Sequence, residues 1–215
     1  MSETSAATAV SAYTLKDIVF KSGTVGIPLV YTTIKVVDVE TRVELPYNQQ
    51  GEICINSPCI MMGYYQNNYE TNNVIRIHND GKKWVHTGDI GCVDEEGFIT
   101  IDGRIKRMIL TSENNIFHKV FSKVIEDEFL KIGSVKAISI VGRTNKETTN
   151  DIIAFVVLED NAQKEETLYT MKQYAENNFE SFERPVAYII EDALPLTTIG
   201  KVDYRKLEEK ANNLE

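Results

Sequence analysis

The pattern of apolar and polar positions changes character about halfway along the chain. Up to residue 101 apolar side chains recur in short runs with a period near two, which predicts strands. Ile34–Glu40 (IKVVDVE) alternates and then meets polar turn residues, and Gly51–Ser57 (GEICINS) puts Ile53 and Ile55 on one face. Gly97–Gly103 (GFITIDG) sets Ile99 and Ile101 opposite Phe98, Thr100 and Asp102. Asp94–Gly97 (DEEG) lies between Ile90–Val93 and Phe98–Ile101 and has the composition of a hairpin turn. Many short strands with Gly- and Pro-bearing turns predict a small barrel or sandwich here.

After about residue 106 the period lengthens. Lys119–Lys131 (KVFSKVIEDEFLK) carries Val120, Phe121, Val124, Ile125 and Phe129 at helical spacing, with charges between them. The runs SVKAISIVG and DIIAFVVLE are strand-like, and the second is continuous enough to be a central strand. Thr167–Phe179 places Leu168, Met171 and Ala175 on one helical face, VAYIIED is a further strand, and DYRKLEEKANN a short last helix. Alternating strands and helices over about a hundred residues make a compact α+β domain. The change of texture at GRIKRM, which contains neither Pro nor Ser, marks a boundary between two domains.

Composition narrows the function classes. Of 215 residues, 42% are hydrophobic and 26% charged, enough to bury a core, and no apolar run approaches a membrane span. The net charge of −9 argues against a nucleic-acid partner, whose phosphates are neutralised by Lys and Arg. Cys54, Cys59 and Cys92 show no CxxC spacing, so reduced, partly buried thiols in a cytoplasmic protein are expected rather than a metal or redox site. His78, His86 and His118 suggest no metal cluster by their spacing. The opening MSETSAATAVSAYT has no basic or apolar region of a secretory signal.

Three stretches carry candidate chemistry. In WVHTGDIG (Trp84–Gly91) a Thr-Gly-Asp turn between strands presents Asp89, whose ionised carboxylate accepts on both oxygens and suits a ribose diol. An ordinary Asp-bearing turn gives the same three letters. In GRIKRMIL (Gly103–Leu110) Arg104 offers a planar fork for phosphate or ribose oxygens, although a basic pair at a domain junction is commonly a solvated surface feature. In LPLTTIGKVDYRKL (Leu194–Leu207) Lys201 follows Gly200 on a turn before a helix, where its ammonium can neutralise charge developing on a phosphoryl group. By itself it reads equally as a surface lysine.

Taken in order, these stretches resemble the adenylate-forming (AMP-binding) superfamily of acyl-CoA synthetases, peptide-synthetase adenylation domains and luciferases. The resemblance runs through GTVGIPLVYTTIKVVD, GEICINSPCIMMGYYQN, TGD, GR-x-K and PLTTIGKVDYRKL, essentially the whole chain. It implies an ATP-dependent carboxylate–CoA ligase: a carboxylate attacks the α-phosphate of ATP, and the thiol of coenzyme A or a carrier pantetheine then takes the acyl group. It assigns Asp89 to the ribose hydroxyls, Arg104 to the nucleotide, Lys106 to the pivot between half-reactions, and Lys201 to the carboxylate and phosphate in the adenylating step. Met1-Ser2-Glu3 matches the end of a Tyr-Gly-x-Ser/Thr-Glu motif, which implies that Ser2 approaches phosphate and Glu3 helps to hold Mg²⁺. The implied organisation is a remnant of the Mg²⁺ motif region over 1–16, a distorted β-barrel subdomain over 17–102, a hinge over 103–106 and a mobile C-terminal α+β domain over 107–215.

Two departures bear on activity. Where the family has a Gly-rich turn and often a Pro, this chain reads LTSENNIFHKVFSKVIED, about three residues longer and with Ser122 in place of the Pro. In the family that loop lines the pantetheine path, so the thioester step is the less secure implication. No Ser/Thr/Gly-rich loop ending in Lys and no GxxxxGK[ST] occurs. The chain is thus expected to be the C-terminal, truncated part of a larger enzyme, inactive until joined by its N-terminal portion. A non-catalytic remnant or accessory binding module, and a peptide-synthetase-type enzyme, stay open as alternatives, as does the identity of the carboxylic acid.

Overall fold

The structure is a computed structural model that describes residues 3–5, 8–10 and 21–214. The chain divides into two compact units, Met1–Lys106 and Arg107–Glu215. Both mix strands and helices, as an α+β protein does.

In the first unit β1 (Ala9–Val10) pairs antiparallel with β2 (Ile27–Pro28). The main sheet contains β3 (Thr33–Val37), β4 (Gly51–Asn56), β5 (Ile75–Ile77), β6 (Lys83–Val93) and β7 (Ile99–Arg104). Helix α1 (Asn68–Val74) precedes β5, and the Asn67 side chain caps it by accepting from the Glu70 N–H. The path runs β3-β4-β6-β5 with β7 also on β6, and every pairing is antiparallel.

β4 is buried on both faces. Ile53 and Ile55 join Val36, Val93 and Ile99 on one side, while Cys54 packs with Val37 and Trp84 on the other. β6 holds the sheet together: β5 pairs with its residues 83–85 and β7 with 89–93, leaving 86–88 between the two partners. Close approach of β7 requires Gly91, where an added Cβ would lie 1.9 Å from the Thr100 carbonyl oxygen. The β6–β7 turn forms as expected: Asp94 Oδ1 accepts from Glu96 N and Phe98 N, and Gly97 takes a left-handed φ of 87°.

The second unit opens with a hairpin of β8 (Met108–Glu113) and β9 (Ile116–Phe121). It continues through α2 (Ser122–Phe129), β10 (Val135–Asn145), β11 (Thr149–Leu158), α3 (Lys164–Asn178), β12 (Ala187–Ile190) and α4 (Tyr204–Asn212). β11 is the central strand, antiparallel to β10 and parallel to β12, with α3 in the crossover. Its alternation supplies two cores. Ile152, Ala154 and Val156 meet Ile125 and Phe129 of α2 and Met171 and Ala175 of α3, whereas Ile153 and Phe155 meet Leu207 and Ala211 of α4.

One expectation is corrected. Residues 119–121 are the end of β9 rather than the start of a helix, because Lys119, Val120 and Phe121 pair with Leu110, Ile109 and Met108. The following helix begins at Ser122, the first helical position, where Pro is also tolerated. Ser122 is buried there and its hydroxyl donates to the Arg107 carbonyl at 3.1 Å. The tip of the hairpin is turned by Asn114 and Asn115 at φ 51° and 65°, the left-handed geometry that glycine or asparagine supplies. Among the described residues no helix is long and apolar enough to cross a membrane.

Candidate functional site

The Thr-Gly-Asp stretch is a bulge inside β6, not a turn between strands. Glu52 faces Ile90 and Cys54 faces His86, so residues 87–89 span the space opposite Ile53 alone. The bulge is tied down from β4. Thr87 Oγ1 donates to the Ile53 carbonyl at 2.8 Å and accepts from Asp89 N at 2.9 Å. Gly88, at φ 69°, donates its N–H to Glu52 Oε1 at 3.1 Å. A side chain at Gly88 would oppose the conformation that lets its N–H reach Glu52.

The bulge places Asp89 directly across from Arg104 at the end of β7, and Arg104 Nε lies 2.7 Å from Asp89 Oδ1. The guanidinium is largely exposed, at 61%, and the carboxylate is not, at 17%. The contact uses Nε, so the terminal nitrogens are the fork's remaining donors. Burial pushes the Asp89 carboxyl above its ordinary range; Arg104 opposes that shift, and the Glu3 and Glu52 charges add to it. Beside the pair lies a cavity of about 380 Å³, with Thr87, Asp89 and Arg104 against an apolar wall of Ile34, Ile53, Ile55 and Ile99. An acceptor, a planar cation and an apolar surface together suit a ligand with a diol, an anionic group and a flat or aliphatic body.

Glu3 belongs to the same unit. Its backbone carbonyl accepts from Met61 N at 2.9 Å and its Oε1 accepts from the Tyr64 hydroxyl at 2.8 Å. One carboxylate is a donor set with which Mg²⁺ sits on phosphate oxygens and water, so Glu3 fits that ion's chemistry. Ser2 lies outside the described residues. Lys106 is exposed in a single 3-10 turn, Ile105–Arg107.

Lys201 is exposed on a tight turn of the second unit. Thr197 N donates to the Lys201 carbonyl at 2.7 Å, Gly200 N donates to the Thr197 carbonyl at 2.9 Å, and Gly200 takes φ 76°. Leu196 and Val202 bridge at its base, and Asp203 caps α4 through the Lys206 N–H. Since Leu207 and Ala211 anchor α4 in the core, a rigid helix start carries the lysine.

Several supporting residues were not singled out from the sequence. Glu52 braces both the bulge and His86, whose Nδ1 lies 2.7 Å from Glu52 Oε2. A carboxylate within an otherwise apolar strand was the available signal. His78 and His86, which their spacing did not associate, meet Nε2 to Nε2 at 3.0 Å beside Cys54. Arg107 pairs with both oxygens of the buried Glu126 and lies 3.7 Å over the Tyr204 ring. Glu126 also accepts from Ile140 N at 2.8 Å, so one carboxylate ties the residue after Lys106 to both α2 and β10.

Comparison with known proteins places the chain among AMP-binding enzymes. Residues 1–65 match the family model of the AMP-binding enzyme, and residues 124–201 match that of the AMP-binding enzyme C-terminal domain. A long-chain-fatty-acid–CoA ligase of Escherichia coli O6:H1 is 34% identical over 195 residues, which is 91% of this chain and 32% of the relative. A mitochondrial medium-chain acyl-CoA ligase of Macaca fascicularis is 30% identical over 88% of this chain and 29% of its own length. The structure of ATP-bound MatB from Rhodopseudomonas palustris superposes with a TM-score of 0.78 at 28% identity, over 92% of this chain and 37% of that one. The amide bond synthetase McbA from Marinactinospora thermotolerans, at 24% identity and a TM-score of 0.76, covers 87% of this chain and 36% of its own; it shares the fold. The chain spans about a third of the length of these relatives.

Proposed function

The chain belongs to the adenylate-forming superfamily of AMP-binding enzymes, and we propose that it is the part of an ATP-dependent carboxylate–CoA ligase that holds the ribose, carries the pivot and delivers the adenylating lysine. The observation that carries this reading is the Asp89–Arg104 pair on the β6 bulge. Asp89 accepts hydrogen bonds from the two ribose hydroxyls, and the terminal nitrogens of Arg104 donate to nucleotide oxygens. The substrate carboxylate attacks the α-phosphorus of ATP, and the bond to the pyrophosphate oxygen breaks. The acyl-adenylate then gives its acyl group to a thiol of coenzyme A or a carrier pantetheine, and AMP leaves with the bonding electrons.

Lys201 serves the first of these steps. Its ammonium is assigned to the carboxylate and phosphoryl oxygens, and its help is greatest where negative charge develops. Lys106 is the pivot, and the buried Arg107–Glu126 pair fixes the chain immediately after it. Glu3 would hold Mg²⁺, which when bound supplies positive charge to the phosphate oxygens; the Ser2 hydroxyl is assigned to the same phosphates. We read the sheet of the first unit as the distorted barrel subdomain of these enzymes, with 103–106 as the hinge and 107–215 as the mobile domain. Neither a GxxxxGK[ST] motif nor a Ser/Thr/Gly-rich loop ending in Lys occurs in the 215 residues. Turnover is therefore assigned to a larger assembly in which other residues supply phosphate and acyl binding.

Replacing the matching third of the Escherichia coli long-chain ligase with this chain tests the proposal. ATP–pyrophosphate exchange dependent on a fatty acid is expected in the folded chimera, and Asp89→Ala within it should raise the KM for ATP by about tenfold or more, the loss of a charge-assisted contact. A folded chimera that binds the fatty acid but exchanges no pyrophosphate would favour the accessory-module alternative.

A further inference from the structure

On the face of β4 and β6 away from the Ile53–Ile55 wall lie Cys54, His78 and His86, to which the proposed adenylation assigns no role. His86 Nδ1 faces Glu52 Oε2 at 2.7 Å. The carboxylate accepts, so Nδ1 carries the proton and Nε2 of His86 presents a lone pair. That lone pair lies 3.0 Å from His78 Nε2. The buried Cys54 Sγ is 3.5 Å from the His86 ring at Nδ1, and one ligating atom from each of Cys54, His78 and His86 lies within 4.8 Å of the others. The register explains the meeting, because Cys54 faces His86 across β4–β6 and β5 brings in the chain leading to His78.

We propose that Cys54, His78 and His86 form a binding site for one borderline divalent cation of the Zn²⁺ class, with Glu52 orienting His86 from behind. Two imidazoles and a thiolate are the ligands such an ion prefers, and a water completes the tetrahedron. The Glu52–His86 contact is the carboxylate–imidazole support that recurs behind metal-bound histidines. His78 is placed by stacking on Trp84, with ring centroids 5.7 Å apart. It lines a cavity of about 560 Å³ that also reaches His86 and provides the entry path. The charged groups lining the cavity are Lys35, Arg42, Glu44, Arg76 and Asp80, and Lys35 is itself held by Glu44 at 3.5 Å and Asp80 at 3.9 Å. Loading exchanges the Cys54 S–H proton for one metal–sulfur bond, and N and S ligands of one tetrahedral ion stand about 3.6 Å apart.

Titration of the reduced 215-residue chain with Co²⁺, followed by absorbance, tests the site. One equivalent is expected to give a near-ultraviolet thiolate-to-cobalt band with tetrahedral visible bands, and Zn²⁺ should abolish both. Cys54→Ser should lose the near-ultraviolet band, and Glu52→Gln should weaken binding about 10- to 100-fold. Should Cys54→Ser not fold by circular dichroism, His78→Ala, at a partly exposed position, carries the test with a loss of at least about tenfold. No saturable cobalt spectrum in the parent chain, a near-ultraviolet band that survives in folded Cys54→Ser, or unchanged affinity in His78→Ala would each overturn the site.

Discussion

Asp89 illustrates how a single residue acquires its properties from strand register. Its identity as a candidate is visible in the letters TGD, but its pairing with Arg104, fifteen positions on, is not. The three-residue bulge at 87–89 shifts the pairing of β6, and alternation alone does not reveal such a shift. Burial raises the Asp89 carboxyl and Arg104 opposes the rise, which gives a signed expectation. Ribose binding needs the ionised form, so nucleotide affinity should increase with pH through a midpoint above the ordinary aspartate value of about 4. Folding has the opposite slope in that window. The native state binds the proton more tightly than the unfolded chain does, so stability falls as pH rises from the ordinary value to the raised one. Arg104→Ala removes the opposing charge and should move the affinity midpoint to still higher pH, as read by AMP binding to the ligase chimera between pH 4 and 7. A midpoint unmoved or lowered in Arg104→Ala would show that Asp89 is not the titrating group. Glu52, His78 and His86 were not legible as a group, because their association depends on which residues face one another across β4, β5 and β6.

At the level of elements, long periodic segments were the most legible. β11 reads as a continuous apolar run and is the central strand, and α4 begins one residue after Asp203, its cap. The β8–β9 hairpin was missed because Val120, Phe121, Val124 and Ile125 fit a helical period while the first two belong to a strand. The Asn114-Asn115 pair was the signal for a two-residue turn. In α3 the buried stripe is Thr167, Met171 and Ala175, so Leu168, expected on that face, is only partly covered. The β10–β11 turn depends on one carboxylate. Asp151 accepts from Arg143 Nη2 at 2.7 Å, Asn145 Nδ2 at 2.8 Å and Thr148 Oγ1 at 2.9 Å. Burial acts to raise the Asp151 carboxyl, and the three hydrogen bonds outweigh it, leaving the group below its ordinary value. The sign is therefore opposite to that of Asp89: stability from Asp151 is fully present above about pH 4 and lost as pH falls through the depressed native value. Asp151→Asn should lower the melting temperature at pH 6 and flatten its fall between pH 5 and 3. An unchanged acid limb in that variant would remove Asp151 from the account.

Across the whole molecule, chemistry is distributed over two units that each bury their own core, with Asp89, Arg104 and Glu3 in the first and Lys201 in the second. Neither unit's composition points to a family; the order of TGD, GR-x-K and PLTTIGK along the chain does, and each motif alone was weak. This division also separates the steps that a substitution can affect. On the proposed reading Asp89 holds a nucleotide present in both half-reactions, so its loss should weaken both. On the same reading Lys201 acts where charge develops on the phosphoryl oxygens in the first half-reaction, and not in attack of the thiol on the acyl carbonyl. In the ligase chimera Lys201→Ala should lower ATP–pyrophosphate exchange by about 10²–10³, the loss that follows removal of one charge-stabilising donor. Thioester formation from a supplied acyl-adenylate should change by less than about tenfold, because the thiol attacks the acyl carbon and its charge develops first on the acyl carbonyl oxygen, not at a phosphorus under attack. Stability should be nearly unaffected, since the side chain is exposed on its turn. Equal losses in both half-reactions would instead mean that Lys201 supports the turn or the nucleotide, and adenylation would then need another cation.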